Sequence, residues 1–388
     1  MELIYRDKKS VSDVLENTPA AEFHQAKGKQ SWFSDWTNLL ISGNNLNVLK
    51  TLYLDQNIRG KVKLIYIDPP FSTEREFVDM EKNMAYSDKL NGHEYVEFLR
   101  QRLIFLKELL SEDGSIYVHL DQKKGHYMKV ILDEIFGEFN FRNDIARIKC
   151  NPKNFDRKAY GNTKDVIYFY SNNPNSSIDL TKWNELKLAL DEEDVAKRFN
   201  RIDKNGRRYT TTPLHAPGET ANGSTGQKWK GMTPPKGRHW RYNPIELTRL
   251  DEAGLIEWSS TGNPRKIIYA DESLGKKIQD LWDFKDPGFQ YASYPTEKNL
   301  DLLKLIIQIS SDKHDIVLDC FAGSGTTLIA AEELGRRWIG IDNSPMAIRV
   351  IPERLKKLND CAPYALIKAE VKEASKSSLK VPNKVLEE

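Results

Sequence analysis

Apolar residues in this chain gather in short unbroken runs more often than in alternating ones. Seven runs read as strands: NLLISG (38–43), VKLIYID (62–68), SIYVHLD (115–121), DIARIKC (144–150), DVIYFYS (165–171), DIVLDCF (315–321) and RWIGID (337–342). A run without a polar face fits a strand covered on both sides. Helical spacing lies between several of them. Over 93–112, Tyr95, Phe98, Leu99, Leu103, Leu106, Leu109 and Leu110 share one face, and SEDG at 111–114 reads as the stop, with Gly114 as its end signal. Residues 298–311 and 326–335 also read as helices. Strands alternating with helices predict an open, mostly parallel α/β sheet.

The alternation breaks between about 151 and 261, a polar segment rich in Gly, Pro, Asn and Thr. It reads as an inserted domain or a set of long functional loops. Charge singles out the same region. Residues 201–250 hold ten Lys/Arg against three Asp/Glu, a local net of +7 in a chain whose formal net charge is +2. Within it Arg201, Lys204, Arg207, Arg208, Lys228, Lys230, Lys236, Arg238 and Arg241 are interleaved with Tyr209, Trp229, Trp240 and Tyr242. One residue of this kind is a solvated loop side chain. The cluster reads as a polyanion contact, with Arg207, Arg208, Lys228, Lys230, Lys236, Arg238 and Arg241 as candidate phosphate contacts.

Composition narrows the class. With 388 residues, 39% of them hydrophobic and 29% charged, the chain has the make-up of a soluble protein with one large core or two domains. No apolar run is long enough to span a membrane, and MELIYRDKKS lacks the core of a signal peptide. Cys150, Cys320 and Cys361 lie far apart, which suits neither a disulfide framework nor a metal site and points to a reducing compartment. His215 and His239 have no partner pattern and read as ordinary loop residues, so no metal is expected.

Two motifs carry candidate chemistry. The first, DIVLDCFAGSGTTLIAAEELGRRWIGID (315–342), reads strand, glycine turn, helix, strand, and ends on Asp342, 19 residues after Gly323. An acid at about that distance binds a ribose hydroxyl in nucleotide folds. The pyrophosphate readers are missing: Thr326-Thr327 follow Gly325 with no lysine, and position 328 is Leu where a third small residue would be. That favours a nucleoside without phosphates. S-adenosylmethionine fits, its sulfonium suiting acids such as Asp319. A glycine turn that merely packs helix on strand is the alternative.

The second motif is YIDPPFST (66–73). Neither proline can donate to a ladder, so the strand ends there and leaves Asp68 at its carboxyl end. Alone, it is an Asx-type turn. Beside a methyl donor it becomes specific. An exocyclic base amine is a poor nucleophile because its lone pair is delocalised. Asp68 and the Pro69 carbonyl can accept its two N–H bonds, two prolines hold that carbonyl still, and Phe71 can stack on a base rotated out of the duplex.

On these residues the chain resembles the β-class DNA amino-methyltransferases, above all the modification subunits of type III restriction–modification systems and related type II or solitary enzymes. The resemblance covers roughly 38–360 and rests on motifs in order: LLISGNNLNVLKTL, KVKLIYIDPPF, FLRQRLIFLKELLSEDGSIYVHLD, YPTEKNLDLLKLIIQISS and DIVLDCFAGSGTT. It implies a Rossmann-like sheet dependent on S-adenosylmethionine, circularly permuted so that the catalytic motif precedes the donor loop, with an inserted target-recognition domain. The expected division is 1–37 as an N-terminal extension, 38–150 as the catalytic half, 151–261 as a hairpin and target-recognition region, 262–360 as the donor-binding half and 361–388 as a tail.

Position by position, the resemblance implies Asp68, Pro69, Pro70 and Phe71 as catalytic. It places Ile67, Asn44, Asn45, Thr296, Lys298, Asp319, Phe321, Ala322, Gly323, Ser324, Gly325, Thr326, Asp342 and Asn343 around the donor. Two departures stand out. Gly43-Asn44-Asn45 replaces the family's frequent Gly-Asp-Asn, and Pro295-Thr296-Glu297-Lys298-Asn299 replaces Pro-Thr-Gln-Lys-Pro. The implied reaction is methylation of adenine N6 in duplex DNA by a cytoplasmic, nucleoid-associated prokaryotic enzyme. Cytosine N4 is the alternative, and a non-catalytic DNA-binding subunit is a third reading. The implied partners are double-stranded DNA, with a second copy of the chain or a cognate restriction endonuclease subunit as further partners left open.

Overall fold

The computed structural model describes residues 2–24, 36–70, 76–78, 84–87, 92–151, 158–175, 177–220, 222–287 and 297–372. Ten strands form one sheet: β1 (Glu22–His24), β2 (Asn38–Ser42), β3 (Val62–Ile67), β4 (Leu110–Leu120), β5 (Phe141–Ile148), β6 (Lys164–Ser171), β7 (Leu281–Asp283), β8 (Ile316–Asp319), β9 (Arg337–Asp342) and β10 (Tyr364–Glu370). Their spatial order is β1-β10-β2-β9-β8-β3-β4-β6-β5-β7. The run from β10 to β4 is parallel throughout, as is β7 on β5. Only β1 on β10 and β6 on its two neighbours run antiparallel.

All seven sequence-predicted strands enter this sheet, and burial explains why they could be read. Leu39, Leu40, Ile41, Leu64, Ile65, Val317, Leu318, Ile339 and Ile341 are inaccessible to solvent. Such residues have no exposed face and so appear as continuous apolar runs. Helices α1 (Asn45–Leu54), α2 (Gly92–Leu109), α3 (Gly125–Phe136), α4 (Leu300–Ser310), α5 (Thr326–Glu333) and α6 (Pro345–Leu355) lie between the strands. Among the described residues, no helix is long and apolar enough to cross a membrane.

Several boundaries differ from expectation. Helix α2 ends at Leu109 and β4 begins at Leu110, so SEDG lies inside the strand. The register of β4 on β3 slips between the Val62–Leu110 and Leu64–Ser115 pairs, which makes this stretch a bulge rather than a helix cap. The expected tail from 361 enters the sheet as β10, whose alternating buried and exposed positions gave no apolar run. Likewise the expected N-terminal extension supplies β1, three residues long, paired with β10.

The second compact unit spans Leu186–Ile278, later than the expected 151–261, because β6 belongs to the large sheet. It has its own four-stranded antiparallel sheet, in the order Arg201–Ile202, Arg208–Pro213, Pro264–Tyr269, Ile256–Trp258. Its small core holds Leu214, Trp229, Trp240, Leu247 and Leu250.

Candidate active site

Parallel pairing lines up carboxyl ends that are far apart in sequence. From β2 across to β4, the loops that follow begin at Gly43, Asn343, Cys320, Asp68 and Asp121. The chain crosses from β3 to β4 in one direction and from β8 to β9 in the other, so the strand order reverses between β8 and β3. Open α/β sheets bind ligands at that switch point. Here it brings the Asp68 turn opposite the glycine turn, about 250 residues later in the sequence (320 − 68).

Ile67 and Pro69 are buried, and Asp68 follows the last strand residue. Lys298 Nζ lies 2.6 Å from Asp68 Oδ2, both side chains being mostly covered. Burial works against the Lys298 charge, but the Asp68 carboxylate more than offsets it and the ammonium is held above its ordinary range. The other oxygen, Asp68 Oδ1, is buried with no hydrogen-bond partner among the described residues and lies 4.0 Å from His119 Nδ1. The carboxylate is therefore anchored at one oxygen, and an unmet acceptor remains at the other. A buried acceptor without a donor is costly unless a ligand supplies one.

The glycine turn is held from below. Gly323 and Gly325 have φ of 53° and 78°, a region other residues rarely enter. Asp342 Oδ2 accepts from Gly323 N (2.7 Å) and its Oδ1 from Ser344 N (2.8 Å). Burial raises this carboxyl above its usual range. Each oxygen still has a lone pair for a hydroxyl. Arg354 Nη1 donates to Ser324 O and Thr326 Oγ1 (3.0 Å each), and its Nη2 pairs with Glu297 at 2.8 Å. This cation beside the turn is thus spent on internal partners and is no phosphate reader. The third fingerprint glycine also has its replacement. A Cβ on Gly340 of β9 would meet Leu328 of α5 at 2.3 Å, so the strand provides the room that the helix lacks. The turn and its acids fit an uncharged ribose and a cationic donor such as S-adenosylmethionine. A Cβ on Gly325 would meet Ile351 at 2.7 Å. Gly325→Ala is expected to cost roughly 1–3 kcal/mol of stability and to weaken donor binding. Isothermal titration with unchanged affinity would contradict that.

Asp319 Oδ2 accepts from Thr327 Oγ1 (2.6 Å) and Oδ1 from Phe321 N (2.9 Å), so it braces the turn. Burial pushes its carboxyl up to about 7. Between its ordinary value of about 4 and that point, the folded chain holds a proton that the unfolded chain has lost, so stability falls as pH rises through this window. Asp319→Asn is expected to flatten the melting temperature against pH there, and an unaltered slope would contradict it.

The remaining expected donor residues are placed as follows. Asn45 Nδ2 donates to Cys320 O (2.8 Å) and its Oδ1 accepts from Arg102, tying β2's loop to the glycine turn. Asn44 caps α1 through Leu46 N, and Asn343 is exposed. Ala322 is buried and Phe321 packs against Phe98. Phe71 and Thr296 lie outside the described residues. The departures at 297 and 299 have structural roles: Glu297 holds Arg354, and Asn299 caps α4 through Asp301 N and Leu302 N. Sequence reasoning missed His119, Tyr66, Asp165, Arg147 and Lys149, which form a buried polar chain beside Asp68. A lone imidazole within the apolar run SIYVHLD was the available signal.

In the second unit, ion pairs divide the basic candidates. Arg207 forks onto Asp271 (2.9 and 2.8 Å), reaches Glu272 and stacks on Tyr269, and Lys230 pairs with Asp251. Arg238 meets His215 Nδ1 (3.1 Å) and Arg241 donates to Pro213 O (3.1 Å). Exposed Arg208, Lys228 and Lys236 have no side-chain hydrogen bond or ion pair among the described residues. Trp229 and Trp240, interleaved with the basic residues in sequence, are core residues, 3% and 1% exposed.

A proline-fixed carboxylate with one open oxygen, set against a glycine turn braced by buried acids, fits a methyltransferase acting on an amine. Comparison places the chain within that class. A family model described as DNA methylase matches residues 62–353, and the chain belongs to this family of S-adenosylmethionine-dependent DNA methyltransferases. It is 42% identical over 321 residues to the type II methyltransferase M.EcaI of Enterobacter cloacae, covering 82% of this chain and 69% of that protein. It is 27% identical over 408 residues to the probable type III restriction–modification enzyme HindVI Mod subunit of Haemophilus influenzae, and 26% identical over 335 residues to the StyLTI Mod subunit of Salmonella typhimurium. Those alignments cover 88% and 76% of this chain but only 53% and 50% of the relatives, so the chain spans about half their length.

Proposed function

We propose that the protein methylates adenine N6 at a specific site in duplex DNA, within a restriction–modification system of a prokaryotic cytoplasm. The observation that carries this reading is Asp68: Oδ2 is fixed by Lys298, and Oδ1 is a buried acceptor awaiting a donor. A target amine placed there gives Oδ1 its N–H bond and the Pro69 carbonyl a second, which turns the nitrogen lone pair away from the ring. Ile67 and the two prolines keep these acceptors from moving. Bound S-adenosylmethionine supplies an electrophilic methyl group, and Gly323, Gly325 and Asp342 are the residues that hold it. The aspartate that begins the motif supports adenine over cytosine, as a tendency within the family that the chain resembles. Mass analysis of nucleosides from treated DNA is the test: N6-methyladenine is expected, and N4-methylcytosine would replace the reading.

For target binding we infer that Arg208, Lys228 and Lys236 contact phosphates, whereas Arg207 and Lys230 hold their own unit together. Replacing each of the first three by Ala is expected to lower the slope of log K against log salt by about 0.9. Replacing Arg207 is expected to lower the melting temperature and leave that slope alone. Salt titrations of DNA binding with the opposite pattern would reverse the assignment.

A further inference from the structure

A buried polar chain crosses five adjacent strands beside Asp68. Tyr66 lies on β3, His119 on β4, Asp165 on β6, Arg147 and Lys149 at β5, and Asp286 just past β7. Tyr66 Oη is 2.7 Å from His119 Nδ1, and His119 Nε2 is 3.3 Å from Asp165 Oδ2. Asp165 Oδ1 accepts from Lys149 Nζ at 2.6 Å, and Arg147 Nη1 lies 3.7 Å from Asp165 Oδ2. Arg147 in turn donates to Phe284 O (2.8 Å) and to Asp286. His119 and Arg147 are wholly buried, and Asp165 is 3% exposed.

The order of groups fixes the protons. Asp165 sits against two cations and is a carboxylate, so it accepts at both oxygens and His119 Nε2 must be the donor to it. His119 Nδ1 is then the side that accepts the Tyr66 hydroxyl proton. With that proton turned toward His119, neither group donates to Asp68 Oδ1, although Nδ1 is only 4.0 Å away. The opposite tautomer would aim an N–H into this region and could fill the acceptor that the target amine needs. Filling space alone calls for nothing of this kind, since an apolar side chain would avoid the cost of burying so many polar groups.

We propose that His119 is a positioning residue for methyl transfer: set by Asp165 as the Nε2–H tautomer, it draws the Tyr66 hydroxyl away from Asp68 and keeps Oδ1 open for the target amine. The proposal rests on the methyl-transfer reading above. Tyr66→Phe removes one oxygen from the chain and leaves its packing, and His119→Leu removes the imidazole. The test measures steady-state transfer of labelled methyl to duplex DNA by the full chain, with donor affinity and thermal melting alongside. His119→Leu frees the Tyr66 hydroxyl to donate to Asp68 and is expected to lose roughly 10–100-fold in kcat, whereas Tyr66→Phe removes that donor and is expected to keep kcat within about threefold, with donor Kd and DNA KM held within about twofold in both. Should His119→Leu fail to fold, His119→Phe takes its place, and adding Tyr66→Phe to the His119 variant is expected to restore kcat. A folded His119 variant with wild-type kcat overturns the proposal, as does a loss of kcat that Tyr66→Phe fails to restore or that merely follows a loss of melting temperature and donor affinity. A wild-type protein that transfers no methyl group overturns the underlying reading, and this proposal with it. An active wild type with unaffected variants overturns this proposal alone.

Discussion

Asp68→Ala is expected to abolish methyl transfer, by roughly 10³-fold or more, while affinity for S-adenosylmethionine stays within about threefold. The asymmetry follows from position. Asp68 stands on the β3 side of the switch point, and most of the residues expected to hold the donor lie on or just after β8, β9 and β2. Only the amine needs the acceptor at Oδ1, and it needs it most as its nitrogen becomes tetrahedral. Truncation also strips Lys298 of its carboxylate in a mostly covered site. Asp68→Asn is the companion variant: it keeps the volume and one acceptor oxygen but removes the charge. Loss of tritium transfer in both, with melting temperature retained in the second, assigns the effect to chemistry rather than folding. Turnover retained in either would remove Asp68 from the reaction.

Arg147→Met is expected to destabilise the larger unit by about 3–5 kcal/mol, a fall in melting temperature of roughly 10 °C. Arg147 is wholly buried and serves Asp165, Asp286 and the Phe284 carbonyl together. Removing the cation leaves Asp286 without its partner and Asp165 dependent on Lys149 and His119. Breaking one side of a buried pair leaves a desolvated charge, which costs far more than the intact pair contributes. Burial acts to raise the Asp165 carboxyl, while the His119 and Lys149 contacts hold it below the ordinary carboxylate range. The deficit is therefore expected to shrink in acid, where protonation of Asp165 removes the charge that Arg147 faces. Urea unfolding at neutral and at acid pH measures both statements, and a midpoint equal to wild type would contradict the first.

Much of the sheet could be read before folding because its strands are covered on both faces. Runs such as LLI at 39–41 and IVL at 316–318 have no polar positions because no side of them meets water. The same rule hid β10. Its exposed face carries Leu366, Lys368 and Glu370, so YALIKAE reads as polar and joined the expected tail. Strands of two or three residues, such as β1 and β7, are too short to show any period. The basic cluster was visible as composition, yet composition does not show that Arg207 faces Asp271 or that Trp229 and Trp240 make a core. Both depend on pairings between residues distant in the chain, as Tyr209–Tyr269 illustrates.

By itself the sequence determined the local chemistry of this protein. Two prolines stop β3 behind an acid, two glycines permit the left-handed turn after β8, and the missing lysine turns that turn away from phosphates. These are properties of single residues and their immediate neighbours, and covalent geometry enforces them wherever the segment lies. Only the tertiary structure decided what each acid does. Asp68, Asp319 and Asp342 look alike as strand-end carboxylates. In the fold, the first is tied to Lys298 with one oxygen open, the second braces Thr327, and the third holds Gly323. A carboxylate's role depends on which donors and charges surround it, and those come from strands that are neighbours in the sheet and strangers in sequence.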